Sequence, residues 1–200
     1  MRIVRYLIWI LAALAVLGFA YVTLVRPQQS ATASQVQVTS SSFGGPFTLV
    51  GSDGQPFPSS RLSGKPYAVF FGFTHCPDVC PMTLARLVKL RRALGRGEDS
   101  FNIVFVTVDP ERDGPREVGT YAQAFGAPVV GLTGSPAQID QVKKQYGIFS
   151  QKAPGEDGDY SVDHTASVLL FDRNGDFVAT LSPDEQDEPA LDKLERITAA

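Results

Sequence analysis

The chain holds two cysteines and two histidines in 200 residues, and three of the four crowd one short stretch: His75, Cys76 and Cys80. A spacing of four puts both sulfurs on one face of the segment if it is helical. Pro81, directly after Cys80, is tolerated only in the first turn of a helix, so Cys80 belongs near a helix N-terminus. The free N–H groups and dipole there favour thiolate, which is both a nucleophile and a metal ligand. C-x3-C is not the C-x-x-C of ordinary disulfide oxidoreductases. The competing use of the pair is a structural disulfide, permitted in an oxidising compartment. A bridge across so short a step restricts the unfolded chain only modestly, and reversible oxidation of the pair would release a bound ion.

The elements that must position these residues can be read from hydrophobic pattern. Tyr67 to Phe73 is a continuous apolar run; a polar loop carrying the cysteines follows, then a helical stretch with Leu84, Leu87 and Val88 on one face, then a second apolar run, Ile103 to Val108. Strands apolar on both faces with a helix between them predict a parallel βαβ unit, and loops at the carboxyl ends of such strands are where α/β folds build sites. A second helix starts at Pro115 and carries Val118, Tyr121, Ala122 and Phe125; Gly114 stands at its cap. Val129 to Leu132 reads as a short strand, and Ile139, Val142 and Tyr146 as a third helix that Gly147 caps. A polar loop rich in Gly and Asp comes next. Ser167–Phe171 and Phe177–Leu181 then flank Arg173-Asn174-Gly175, a hairpin turn signal, and a last helix carries Leu191, Leu194 and Ile197. Ahead of all this, Phe47–Val50 and the turn-rich Gly51–Gly54 suggest a lead-in hairpin. The order predicts an α/β, thioredoxin-like fold with an N-terminal β-hairpin extension.

A third donor for an ion between the cysteines must be a histidine next door, His75, or one across the fold, His164, because local zinc-finger spacing is absent. Adjacent residues of an extended segment point opposite ways, which disfavours His75 as partner of Cys76 on one ion. His164 lies in Asp163-His164-Thr165, just before the strand that begins near Ser167; in a thioredoxin plan that segment faces the cysteine loop. Two thiolates and one imidazole form a soft set suited to three-coordinate Cu(I), whereas zinc normally takes a fourth ligand.

Tyr6 to Val25 is an uncharged run of twenty residues, ~30 Å as a helix and long enough to cross a bilayer, after a start carrying Arg2 and Arg5. That length favours a retained anchor over a cleaved signal peptide, with Ala31-Thr32-Ala33 as a weak cleavage alternative. The positive-inside bias places the N-terminus in the cytoplasm, a signal that Arg26 dilutes. Residues 27–46 carry no charge and read as a flexible linker. The organisation expected is therefore 1–26 cytoplasmic start and transmembrane helix, 27–46 linker, and 47–200 folded domain. Without Arg2 and Arg5 the chain has 16 basic against 21 acidic residues, so it offers no basic footprint for nucleic acid.

Gly72-Phe73-Thr74-His75-Cys76-Pro77-Asp78-Val79-Cys80-Pro81, the Asp109-Pro110 after the second strand, and Tyr160-Ser161-Val162-Asp163-His164 together resemble the Sco/SenC family of copper proteins. The likeness runs from about Phe47 to the end. It implies a thioredoxin-like fold and copper, as Cu(I) and also conceivable as Cu(II), ligated by Cys76, Cys80 and His164. It also implies a chaperone that delivers copper to the dinuclear copper site of cytochrome c oxidase during assembly, with that oxidase subunit and other copper chaperones as partners. The N-terminal anchor agrees with the family. The expected location is a bacterial inner membrane with the domain in the periplasm, since no Arg- and Ser-rich transit segment precedes the anchor. Such a role turns over no small substrate. The alternative is a membrane-anchored thiol-disulfide reductase acting on the cysteines of that same site, with Cys76 and Cys80 as the exchanging pair. Against it, the usual C-x-x-C is missing and His164-Thr165 stands where a cis-proline would be.

Asp78 and Asp163 flank the donors and can either orient them or be solvated carboxylates. Asp109 can shape the site or simply start a turn. Arg86, Lys89, Arg91, Arg92 and Arg96 read as a solvated helix face.

Overall fold

The central strand is Tyr67–Gly72, buried at all six positions as a strand covered on both faces requires. In the computed structural model, residues 43–155 and 159–199 are described. The elements are β1 (Thr48–Gly51), β2 (Pro56–Pro58), β3 (Tyr67–Gly72), α1 (Val79–Ala93), β4 (Asn102–Thr107), α2 (Pro115–Gln123), β5 (Val130–Thr133), α3 (Pro136–Gln145), β6 (Ser150–Pro154), β7 (Tyr160–His164), β8 (Val168–Phe171), β9 (Phe177–Leu181) and α4 (Asp187–Ala199). The anchor expected at Tyr6–Val25 lies outside the described residues; among those described, no helix is long and apolar enough to cross a membrane.

Seven strands form one sheet in the order β2-β1-β5-β4-β3-β8-β9. β3, β4 and β5 run parallel, with Val69 opposite Val104 and Val106 opposite Leu132. β8 pairs antiparallel with β3, and β9 antiparallel with β8. The run β4-β3-β8-β9, with α1 crossing between the parallel pair, is the thioredoxin plan, and the β1-β2 hairpin extends the far edge through β5. Phe70, Phe71, Phe105 and Phe171 are fully buried at its centre.

α3 stops where expected. Gly147 takes φ +61°, and its N–H and that of Ile148 return to the carbonyls of Lys144 and Lys143. A residue with a Cβ would be strained in this left-handed position.

Three features depart from expectation. The Gly- and Asp-rich loop contains a second sheet: β6 and β7 pair antiparallel as a ribbon, with Ser150 opposite His164. Val162 is its one buried apolar residue, so the burial signal that reveals strands was nearly absent. The end of the uncharged stretch also packs: Gly44 N–H donates to the Gln145 carbonyl (3.0 Å), and Phe43 meets Phe177 at 4.6 Å. Finally, the basic run on α1 and just after it is a solvated face only in part: Lys89, Arg92 and Arg96 are exposed, but four of the five cations are engaged. Arg91 is buried and donates to the Pro128 carbonyl, Arg86 and Lys89 share Asp187 of α4, and Arg96 reaches the Thr198 carbonyl. Four cations placed around one helix found carbonyls and carboxylates on two neighbouring segments.

Candidate metal centre

β3 ends at Gly72 in the core, and the chain leaves it through Phe73, Thr74 and His75 into the cysteine loop. The Cys76 N–H closes a turn onto the Phe73 carbonyl at 3.3 Å. α1 begins at Val79, with Asp78 capping by backbone alone, so Cys80 sits in the first turn as Pro81 demands. Both thiols are free; Cys80 is buried and Cys76 partly exposed. The Cys80 N–H, one of the orphan amides of the helix start, donates to the Cys76 sulfur at 3.4 Å. The partial positive charge of that terminus therefore falls on Cys76, the residue before the helix.

Cys80 departs from the expected thiolate. Burial pushes its thiol well above the usual range, because the interior disfavours the charged form, and a backbone hydrogen bond at Phe73 offsets this only in part. The room is tight: a Cβ on Gly72 would lie 2.8 Å from the Cys80 sulfur, so glycine at the end of β3 lets the sulfur in.

His164 arrives at the end of β7. Its Nε2 is 3.4 Å from the Cys80 sulfur, and its Nδ1 lies 3.0 Å from the Thr165 carbonyl. A carbonyl only accepts, so Nδ1 carries the proton and Nε2 turns its lone pair to the sulfur, the tautomer a metal-binding imidazole needs. Phe70 and Phe73 meet the ring edge-on at 6.0 and 5.8 Å and hold its plane. Burial lowers the His164 pKa, partly opposed by the hydrogen bond to Thr165, so the ring is neutral at pH 7.

The donors are adjacent but not closed into a cage. Cys76 touches Cys80, and Cys80 touches His164; among the described residues no three His, Cys, Asp or Glu groups already form a metal cluster. The donor chemistry fits a soft ion of low coordination number, with two sulfurs and one neutral nitrogen. His75 is directed elsewhere: its Nδ1 lies 3.2 Å from Thr74 Oγ1 and 3.5 Å from Asp113 Oδ1. Asp78 and Asp163 are exposed.

Asp113 had no sequence signal. It is fully buried and accepts from Thr74 N–H (2.8 Å), Thr74 Oγ1 (2.5 Å) and Thr107 Oγ1 (2.6 Å), while its own carbonyl accepts from Thr133 Oγ1. One carboxylate thus ties the segment before Cys76 to β4. Asp109 is likewise buried, accepting from Tyr160 Oη and Arg112 Nε, and its backbone carbonyl also starts the turn expected of Asp-Pro.

Residues 35–199 match the SCO1/SenC family. Protein SCO1 homolog 1, mitochondrial, of Arabidopsis thaliana is 40% identical over 139 residues, covering 68% of this chain and 41% of that one. A SCO2-like protein of Rickettsia conorii is 32% identical over 177 residues, 86% of each chain. Among solved structures, Bradyrhizobium japonicum ScoI with copper bound superposes with a TM-score of 0.70 at 42% identity, covering 78% of this chain and 99% of that one. This chain therefore spans less than half the length of the Arabidopsis relative.

Proposed function

The chain belongs to the SCO1/SenC family, and from that membership and the geometry of the site we propose that it binds one copper ion through Cys76, Cys80 and His164. It delivers that ion to the dinuclear copper site of cytochrome c oxidase during assembly. The observation that carries the reading is the approach of His164 Nε2 to within 3.4 Å of the Cys80 sulfur, from a residue 84 positions away in sequence. Copper bound in the ScoI of Bradyrhizobium japonicum, 42% identical, supports the choice of ion. The reading includes an anchor at 1–26, a linker from 27 that ends where Phe43 and Gly44 pack, and a copper domain from there to 200, held on the periplasmic face of a bacterial inner membrane.

Binding must expel the Cys80 proton. Its thiol is held protonated by burial, so the apparent Cu(I) affinity rises by at least about tenfold per pH unit, the slope of one displaced proton. Between pH 7 and 8 His164 adds little to that slope, because burial holds its pKa below the ordinary histidine value. An anaerobic titration across this window, corrected for protonation of the competing chelator, measures the slope. A flat profile would remove Cys80 from the ligand set.

Thiol-disulfide exchange is the second reading, favoured by two free thiols with the Cys76 sulfur against the Cys80 amide. The buried, protonated Cys80 opposes it, since exchange runs through thiolates and accessible sulfurs. The two roles separate when the copper-loaded full-length chain is mixed with the apo copper domain of the oxidase subunit, once with that domain's cysteines reduced and once oxidised. Delivery predicts copper transfer to the reduced domain. Reduction of the oxidised domain with no transfer to the reduced one would make the chain a reductase.

A further inference from the structure

Both donor segments are fastened to one five-residue turn, Asp109–Asp113, in which the N–H groups of Arg112 and Asp113 return to the Asp109 carbonyl at 3.2 and 3.0 Å. At its inner end Asp113 grips Thr74, two residues before Cys76. At its outer end Asp109 Oδ1 accepts from Tyr160 Oη at 2.9 Å, and Asp109 Oδ2 accepts from Arg112 Nε at 2.5 Å. Arg112 Nη1 donates to the Tyr160 carbonyl at 2.9 Å and to the Asp159 carboxylate at 3.1 Å, and the guanidinium lies 3.6 Å above the Tyr160 ring centroid.

Tyr160 is the first residue of β7 and His164 the last. The ribbon they belong to is a separate two-stranded sheet, with no ladder to the seven-stranded one. The hydrogen bonds at its base, between Phe149 and Thr165, close the ribbon on itself and leave its position against the cysteine loop open. Val162 anchors it by burial, which is non-directional. The directional ties from the ribbon to the rest of the fold include the Asp109–Arg112–Tyr160 contacts, a Lys143 Nζ to Ser150 Oγ hydrogen bond (3.0 Å) that leads to α3 rather than to the cysteine loop, and an exposed Lys152–Glu111 pair, and an exposed ion pair is worth little. A second route runs through packing: Arg112 is 5.9 Å from the Phe73 ring centroid, and that ring abuts His164.

We propose that Arg112 and Tyr160, clamped by Asp109, are positioning residues that set the distance between His164 and the cysteine pair without touching the ion. The turn acts as a spacer with one grip on each donor segment. This rests on the copper reading above, in which His164 is a ligand. Partners beyond the ligands commonly contribute about 10- to 100-fold in metal affinity by orienting them.

The test is a double-mutant cycle in the full-length chain, read by Cu(I) affinity and by copper K-edge X-ray absorption. Tyr160→Phe removes only the hydroxyl that Asp109 accepts; Arg112→Lys keeps the charge and loses the two-pronged grip, and serves if the first variant folds poorly in thermal melts of the metal-free protein. The expected result is about a tenfold loss of affinity with His164 present, no further loss in the His164→Ala background, and a reduced nitrogen contribution to copper with both sulfurs retained. An equal loss in both backgrounds, or no loss where His164→Ala itself weakens binding, overturns the positioning role alone. Unchanged affinity in His164→Ala overturns the ligand assignment, and the positioning role with it.

Discussion

Replacing Cys80 by serine is expected to weaken Cu(I) binding by about a thousandfold. Structural sites of thiolate and imidazole ligands hold their ion with roughly 10–16 kcal/mol, or about 3–4 kcal/mol for each of four ligands. In a three-coordinate site each donor carries at least that share, and roughly 4 kcal/mol is a factor of about 1,000. The hydroxyl matches the space that Gly72 leaves for the sulfur, so the metal-free fold should survive while the hard oxygen fails to replace a soft donor. Cys76→Ser should fall by a similar factor. His164→Ala removes a neutral nitrogen rather than an anionic sulfur, so its loss lies at the lower end of that share, about 3 kcal/mol or roughly 100-fold. Competition against a Cu(I) chelator under anaerobic conditions gives all three numbers; a Cys80→Ser protein within tenfold of the parent would remove that sulfur from the coordination sphere.

Asp113→Ala should be the most damaging change outside the donors themselves. It strands Thr74 N–H, Thr74 Oγ1 and Thr107 Oγ1, which all donate to this one fully buried carboxylate. Leaving such groups unpaired costs about 3 kcal/mol in total, since some re-pair with water once the side chain is gone. For a domain of this size that is a fall in Tm of roughly 10 °C. The same change frees the segment ahead of Cys76, so copper affinity should drop about tenfold even at temperatures where the fold persists. Asp113→Asn keeps one acceptor and should fall between parent and Ala in both measurements. A thermal melt of Asp113→Ala that coincides with the parent would mean that the buried carboxylate holds nothing.

The sheet was legible because its strands announce themselves. Apolar runs such as Tyr67–Phe73 and Ile103–Val108 are buried on both faces, and at that length they read as buried strands. The β6-β7 ribbon was illegible for the converse reason: its residues are mostly exposed, and a polar strand looks like a polar loop. The cysteine pair stood out by type and spacing. His164 could be suggested only by where a thioredoxin plan brings its segment, and resemblance to a known family made the choice between it and His75.

What supports the site lay hidden more deeply. Asp113 closes a charged stretch, Asp109-Pro110-Glu111-Arg112-Asp113, that reads as a solvated turn; it is buried because Thr74, 39 residues earlier, and Thr107 supply donors from other segments. Burial of this kind follows from tertiary convergence, which no local pattern encodes. The expected Cys80 thiolate failed for a related reason. The helix start was placed correctly, but the depth of the sulfur beneath Gly72 is a property of packing, and desolvation there raises the thiol pKa.

The central claim is that two sulfurs of one loop and one nitrogen of a distant strand share a single ion. Crystals of the Cu(I)-loaded protein, with diffraction recorded on either side of the copper absorption edge, address it directly. The account predicts one anomalous peak per chain, within bonding distance of Cys76 Sγ, Cys80 Sγ and His164 Nε2. A peak bonded to the cysteines with the His164 ring turned away, or one centred on His75, would contradict it.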